Sequence, residues 1–205
     1  MILLLALAFA LLVAFLRGGS LRNLADFHLE WGWLAGLALA LQIGAIYWAT
    51  GNSYLYLQRG TLVVSSLLLL PVVWRNRRSP GLALIGLGLA LNLAVMTANG
   101  GFMPITPETV ARIEHQHLIV HLDGLQRMSG SKGIVLSKEE TALWALSDIF
   151  IIPPPFPMAS AFSLGDVLVA VGAFIFLQRA MVATCPRSSE PLGRRNVGQD
   201  SCRHS

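Results

Sequence analysis

The chain has 205 residues, of which 54% are hydrophobic and only 13% charged, against roughly a quarter charged in an ordinary soluble domain. That composition excludes a conventional soluble enzyme, a secreted disulfide scaffold and a disordered chain. The net charge of +4 predicts no nucleic-acid partner, because the arginines gather at the ends of apolar segments and in the tail, where they read as topology signals.

Five blocks carry no charged residue: Met1–Leu16, Trp31–Thr50, Gly60–Trp74, Gly81–Ala98 and Val167–Gln178. Each reads as the core of a transmembrane helix once its flanks are added. The expected fold is all-α, a polytopic membrane bundle of about five transmembrane helices with an external cap. Four helices fall in residues 1–99, the external segment in 100–161, the fifth helix in 162–183, and a disordered cytoplasmic tail in 184–205.

The first block lacks a basic residue before it and has Arg17-Gly18-Gly19 after it, the reverse of a cleaved signal peptide, so it reads as a retained helix with its N-terminus outside. The second helix, about Glu30–Thr50, ends in Tyr47 and Trp48, which suit a membrane interface. The third is short if it starts at Gly60, about 22 Å. A start near Tyr54 restores a full span and sets Arg59 where its side chain can snorkel. Pro71 is expected to kink its last turns. The fourth runs about Gly81–Ala98 and the fifth about Phe162–Val182.

Loop charges test the count. Arg17 and Arg22 follow the first helix, Arg75, Arg77 and Arg78 the third, and Arg179, Arg187, Arg194 and Arg195 the fifth. These fall on one side only with five spans, which predicts a multi-pass protein of the cell (inner or plasma) membrane, N-terminus outside and C-terminus cytoplasmic. Beyond the bilayer, the expected partners are other membrane proteins or a second copy. Gly32, Gly36, Ala40 and Gly44 recur every four residues, as do Gly86, Ala90, Ala94 and Ala98, and such stripes let helices approach closely. Gln42 and Asn92 are the side-chain amides of these two helices. They read first as interhelical hydrogen-bond glue and alternatively as part of a binding site.

In the external segment, Asn99-Gly100-Gly101 is a natural helix terminator, with Asn99 a secondary binding candidate. Glu114-His115-Gln116-His117 is followed by His121 and Asp123. On a helix, His117 and His121 would share a face at a spacing that suits a transition-metal site, although a solvated amphipathic segment is the simpler reading. No cofactor is otherwise expected. The stretch from Thr141 through Trp144 and Asp148 to Pro153-Pro154-Pro155 and Pro157 runs apolar and is then broken by proline, which reads as a re-entrant or interfacial connector. Ser163 can cap the last helix, with Asp166 at its third position facing the positive end of the helix dipole. Cys185 and Cys202 lie in the tail and read as free thiols, with Cys185 near enough to the membrane for acylation.

Asn99-Gly-Gly-Phe-Met-Pro, Leu146-Ser-Asp148-Ile-Phe with its proline run, and Phe162-Ser-Leu-Gly-Asp166-Val-Leu together resemble the ordered landmarks of a bacterial multi-pass membrane family, domain of unknown function 5317. That resemblance implies an integral membrane protein and supplies no activity, so the first expectation is a membrane-embedded binding, accessory or scaffold protein. More faintly, Phe162-Ser-Leu-Gly-Asp166 resembles the final helix of signal peptidase II, with Ser163 standing where that pattern has Asn. This second resemblance implies a small aspartyl hydrolase of the membrane in which Asp166 and Asp148 form a catalytic pair.

Overall fold

The computed structural model describes residues 2–47, 54–156 and 159–182. Trp48, Pro157, both cysteines and the tail lie outside the described residues. The chain is mostly helical. Long helices α1 (Ile2–Leu16), α3 (Gly32–Tyr47), α4 (Leu55–Asn76), α5 (Leu82–Ala98) and α7 (Leu164–Met181) are joined by the short α2 (Leu21–Ala25) and, between α5 and α7, by a cap that contains α6 (Pro107–Arg112). Helices α4 and α7 are long and apolar enough to cross a membrane, while α1, α3 and α5 are apolar but shorter. The third apolar block thus begins near Tyr54, and Pro71 sits inside α4.

The helices pack in the order α3, α4, α5, α7, α1. At one end, Ser20 N donates to the Met181 carbonyl at 3.0 Å, and Asn76 Oδ1 accepts from Glu30 N at 3.1 Å. Arg17, Arg75, Arg77 and Arg78 therefore lie together at the end opposite the cap. The buried helix residues mix small and polar groups, such as Ala10 and Ala14 of α1, Ala38 and Ala45 of α3, Ser65 and Ser66 of α4, Gly88 and Asn92 of α5, and Gly172 and Gln178 of α7, with larger apolar ones such as Leu62, Leu93, Met96 and Leu177. The outward faces are apolar. Leu16, Trp33 and Tyr56 are 79%, 70% and 76% exposed, and Leu87 and Val171 do the same on α5 and α7.

Two expectations about packing change. The Gly32, Gly36, Ala40 and Gly44 stripe is not the seam of α3: Gly36 and Ala40 are exposed, and nothing lies within 4 Å of a Cβ placed on Gly36. On α5, Gly86 does sit against Val73 of α4, but Ala90, Ala94 and Ala98 are exposed. The closest approach runs through a different glycine set on α5 and α7. A Cβ on Gly88 would collide with the Gly165 carbonyl oxygen, and one on Gly172 would come within 2.7 Å of the Gly81 carbonyl oxygen. The stripe spacing marks a smooth face, but the seam is set by whichever face the neighbouring helix meets.

The cap corrects the all-α expectation. Strands β1 (Met103–Ile105), β2 (Ile119–Leu122), β3 (Leu125–Met128) and β4 (Gly133–Val135) form a sheet in the order β1-β4-β3-β2, with β1 and β4 parallel and the other pairs antiparallel. The cause is local. Asp123 and Gly124, with φ of 50° and 76°, form the two-residue turn between β2 and β3, and Asp-Gly tolerates that geometry and matches strand twist. A second hairpin joins β5 (Phe150–Ile152) to β6 (Ser160–Phe162), with Phe150 stacked on Phe162 at 5.5 Å. The proline run lies in the connection of this hairpin. Phe102, Met103 and Ile134 of the cap share a core with Ala45, Leu55, Leu62, Val95 and Met96 of the helices, which seats the sheet on the bundle.

Candidate functional site

Asp166 is held by the start of α7. Ser163 Oγ accepts from Asp166 N at 3.0 Å, and Asp166 Oδ2 accepts from Ser163 N at 3.2 Å, a reciprocal capping box. Across the close α5–α7 seam, Asn92 Nδ2 donates to Asp166 Oδ1 at 2.8 Å, and Ser163 Oγ donates to Asn92 Oδ1 at 2.8 Å. The glycines explain this contact, because only a seam without Cβ atoms brings an α5 amide onto the α7 cap. Asn92 therefore bonds to α7, not to Gln42, whose helix α3 packs on α4.

Asp148 comes from the other side. Its amide donates to the Pro104 carbonyl at 3.2 Å, which ties it to β1. The residue is half-buried, but Oδ1 is buried with no hydrogen-bond partner among the described residues. Burial, and secondarily the nearby Asp166 carboxylate, push the Asp148 carboxyl up to about 7, with Lys132 opposing. Ionising a buried oxygen that has no donor is costly, which favours the protonated form.

Asp148 and Asp166 line one cavity of about 430 Å³ between the cap and the capward ends of α1 and α7. Lys132, His115, Ser129, Ser131 and Ser160 supply its other polar side chains. Ile2, Leu3, Ile105, Ile113 and Met128 make its apolar wall. The arrangement can hold a ligand with an apolar body and a polar head facing the two carboxyl groups and Lys132.

The remaining candidates go elsewhere. Asn99 Nδ2 donates to the carbonyls of Val95 and Ala142 at 2.7 and 2.9 Å, and its Oδ1 accepts from Ala142 N at 2.9 Å, so the amide fastens the cap to the end of α5. His117 lies in a single 3-10 turn and His121 on β2, so the shared helical face does not exist. Among the described residues no three His, Cys, Asp or Glu side chains are grouped to hold a metal.

One cluster escaped the sequence reading. Arg127 of β3 is 3% exposed and lies over the Phe102 ring at 3.9 Å. It donates to Gln58 Oε1 of α4 and, at 2.9 Å, to the Ser131 carbonyl, while Gln58 Nε2 donates to the Ala45 carbonyl at 2.6 Å. Burial, then the neighbouring Arg59, lower the Arg127 guanidinium to about 10, which leaves it charged at neutral pH. The Asp-Gly turn was the signal available for this cluster, because it places Arg127 three residues beyond the turn, on the same strand face as Leu125.

The profile of a family of unknown function, DUF5317, matches residues 26–178, and the chain belongs to that family. An uncharacterized protein of Thermotoga maritima is 28% identical over 175 residues, covering 82% of this chain and 84% of that relative. No solved structure matches the chain.

Proposed function

Taking this membership as the premise, we propose that the chain is an integral membrane protein of five spans that binds a ligand in the cavity beneath its external cap. The observation that carries the reading is the exposed large apolar surface on all five long helices. Leu, Phe, Ile, Val and Trp side chains stand exposed along these helices, while glutamine, asparagine and serine are buried between them beside Leu62, Leu93 and Met96. In water such continuous apolar faces would aggregate, whereas in lipid they are solvated and the small and polar groups supply the contacts between helices. The shorter helices fit a bilayer that thins around them. Arg17, Arg75, Arg77 and Arg78 at the end opposite the cap support a cytoplasmic location for that end.

The test is topology in cells. Single cysteines at His121→Cys in the cap and Arg78→Cys at the opposite end, in a Cys185→Ser/Cys202→Ser background, are labelled with a membrane-impermeant maleimide. The expected result is that His121→Cys reacts in intact cells and Arg78→Cys only after lysis, with the protein retained in alkaline carbonate pellets. Equal labelling of both, or release by carbonate, would overturn the reading.

A second reading, a small membrane hydrolase, draws on the shared cavity of Asp148 and Asp166. Asp148 would hold the proton and Asp166 would accept one from water attacking a carbonyl. Ligand binding is preferred because both Asp166 oxygens already accept hydrogen bonds, from Asn92 and from the Ser163 amide. For a hydrolase, Asp148→Asn and Asp166→Asn should each fail to restore the phenotype of a gene deletion while the protein still accumulates in membranes. Restoration by the double variant removes the hydrolase.

A further inference from the structure

A large concavity lies far from the cap, between α4 and α5 near the arginine-bearing end. It is an apolar groove of about 770 Å³. Ala83, Gly86 and Ala90 leave room along α5, and Leu70, Pro71 and Val73 form the facing wall on α4. Trp31, Trp74, Arg75 and Arg77 also line it. A separate recess of about 330 Å³ is polar, and it shares Arg75 and Arg77 with the groove and adds His28, Asn76 and Arg78.

The two cavities adjoin at Arg75 and Arg77, an apolar trough on one side and a basic recess on the other. Within the recess, Glu30 neutralises only Arg75, which it meets at 2.5 Å. Arg77 is fixed in place, its guanidinium 4.3 Å from the Trp74 ring centroid and donating to the Trp74 carbonyl at 2.8 Å. Arg78 is exposed beside it. Two arginines without carboxylate partners among the described residues thus line the recess that adjoins the trough.

We infer that this groove and recess bind one phospholipid with an anionic headgroup, its acyl chain along Ala83, Gly86 and Ala90 and its phosphate at Arg77 and Arg78. The inference rests on the five-span reading, which sets this end in the cytoplasmic leaflet, where basic pockets between helices capture anionic lipid. Charge complementarity selects the headgroup, and a groove opened by small residues accepts the chain. The two tryptophans suit the interfacial depth between them.

The test uses the full chain purified in a non-ionic detergent. Dioleoylphosphatidylglycerol or dioleoylphosphatidylcholine is titrated in, bound lipid is counted by native mass spectrometry, and thermal stability is followed in parallel. Phosphatidylglycerol should bind about tenfold or more tightly than phosphatidylcholine. Arg77→Gln/Arg78→Gln should bring the two lipids to similar affinity, and Arg77→Lys/Arg78→Lys should restore most of the preference. Ala90→Phe, at an exposed position that faces the trough, should weaken both lipids without loss of fold. Glycerol phosphate, which carries an anionic phosphate and no chain, should neither bind nor stabilise.

Equal affinity for the two lipids, a preference indifferent to the arginines, or stabilisation by glycerol phosphate alone would overturn the inference. So would a dimer that Ala90→Phe dissociates, since the groove would then be a contact between copies. A chain released from membranes by alkaline carbonate fails the five-span reading and this inference together. A chain that stays embedded without lipid preference fails only this inference.

Discussion

Asp148 is the side chain whose setting departs furthest from that of an ordinary loop carboxylate. Its proton is retained up to about pH 7 in the folded protein, against an ordinary value of 3.8. Between those pH values the folded state binds more protons than the unfolded one, so this group makes stability fall as pH rises from about 4 to about 7, after which its effect is level. Asp148→Asn keeps the shape and removes the titration. The expected outcome in detergent-solubilised protein is a melting temperature about 4 °C higher at pH 8, almost no change at pH 4, and loss of the slope between them. A variant that melts earlier than wild type at pH 8 would show that Asp148 is stabilised as a carboxylate. Asp166 is its chemical opposite in the same cavity, with every carboxylate oxygen bonded. The capping half of this pair was readable from Ser163-Leu-Gly-Asp166, because a capping box is a local motif. The burial of Asp148 was not, because it depends on a strand from a distant part of the chain.

At the scale of elements, the α5–α7 seam decides whether Asn92 reaches Asp166. Gly88 and Gly36 are both glycines within apolar helices, but they are not equivalent. A Cβ at Gly88 meets the Gly165 backbone, and a Cβ at Gly36 meets nothing within 4 Å. Gly88→Ala should therefore destabilise the protein by about 1–3 kcal/mol through overpacking. Gly36→Ala should be neutral or stabilising by up to about 1 kcal/mol through helix propensity. Unfolding of the two variants in the same detergent checks the contrast, and equal losses would contradict the packing order. The periodicity that revealed the helices could not rank these glycines, since repeats of small residues report a face and not what lies opposite it. The β2–β3 hairpin differs. Its Asp-Gly turn lies between two short runs, Ile119–Leu122 and Leu125–Met128, so it was legible locally, and reading His117 and His121 on a helix overlooked that signal.

Across the whole molecule, the cap and the bundle are joined by a shared core, by Asn99 gripping Ala142, and by Arg127 reaching Gln58. These links frame the cavity of Asp148 and Asp166, while the apolar groove lies at the other end of the molecule, so the two regions can be probed by separate variants. Charge-free blocks placed the long helices to within a few residues, and the arginines grouped their ends, because hydropathy and charge are properties of contiguous segments that need no partner. The sequence by itself thus determined the helical framework and the cap of α7. Only the tertiary structure decided that Asp148 and Asp166 line one cavity, that Asn92 bonds to α7, and that Arg127 is buried. Each of these outcomes depends on which surfaces meet across tens of residues, where close packing and the cost of unpaired polar groups select one arrangement from many that the same local patterns permit.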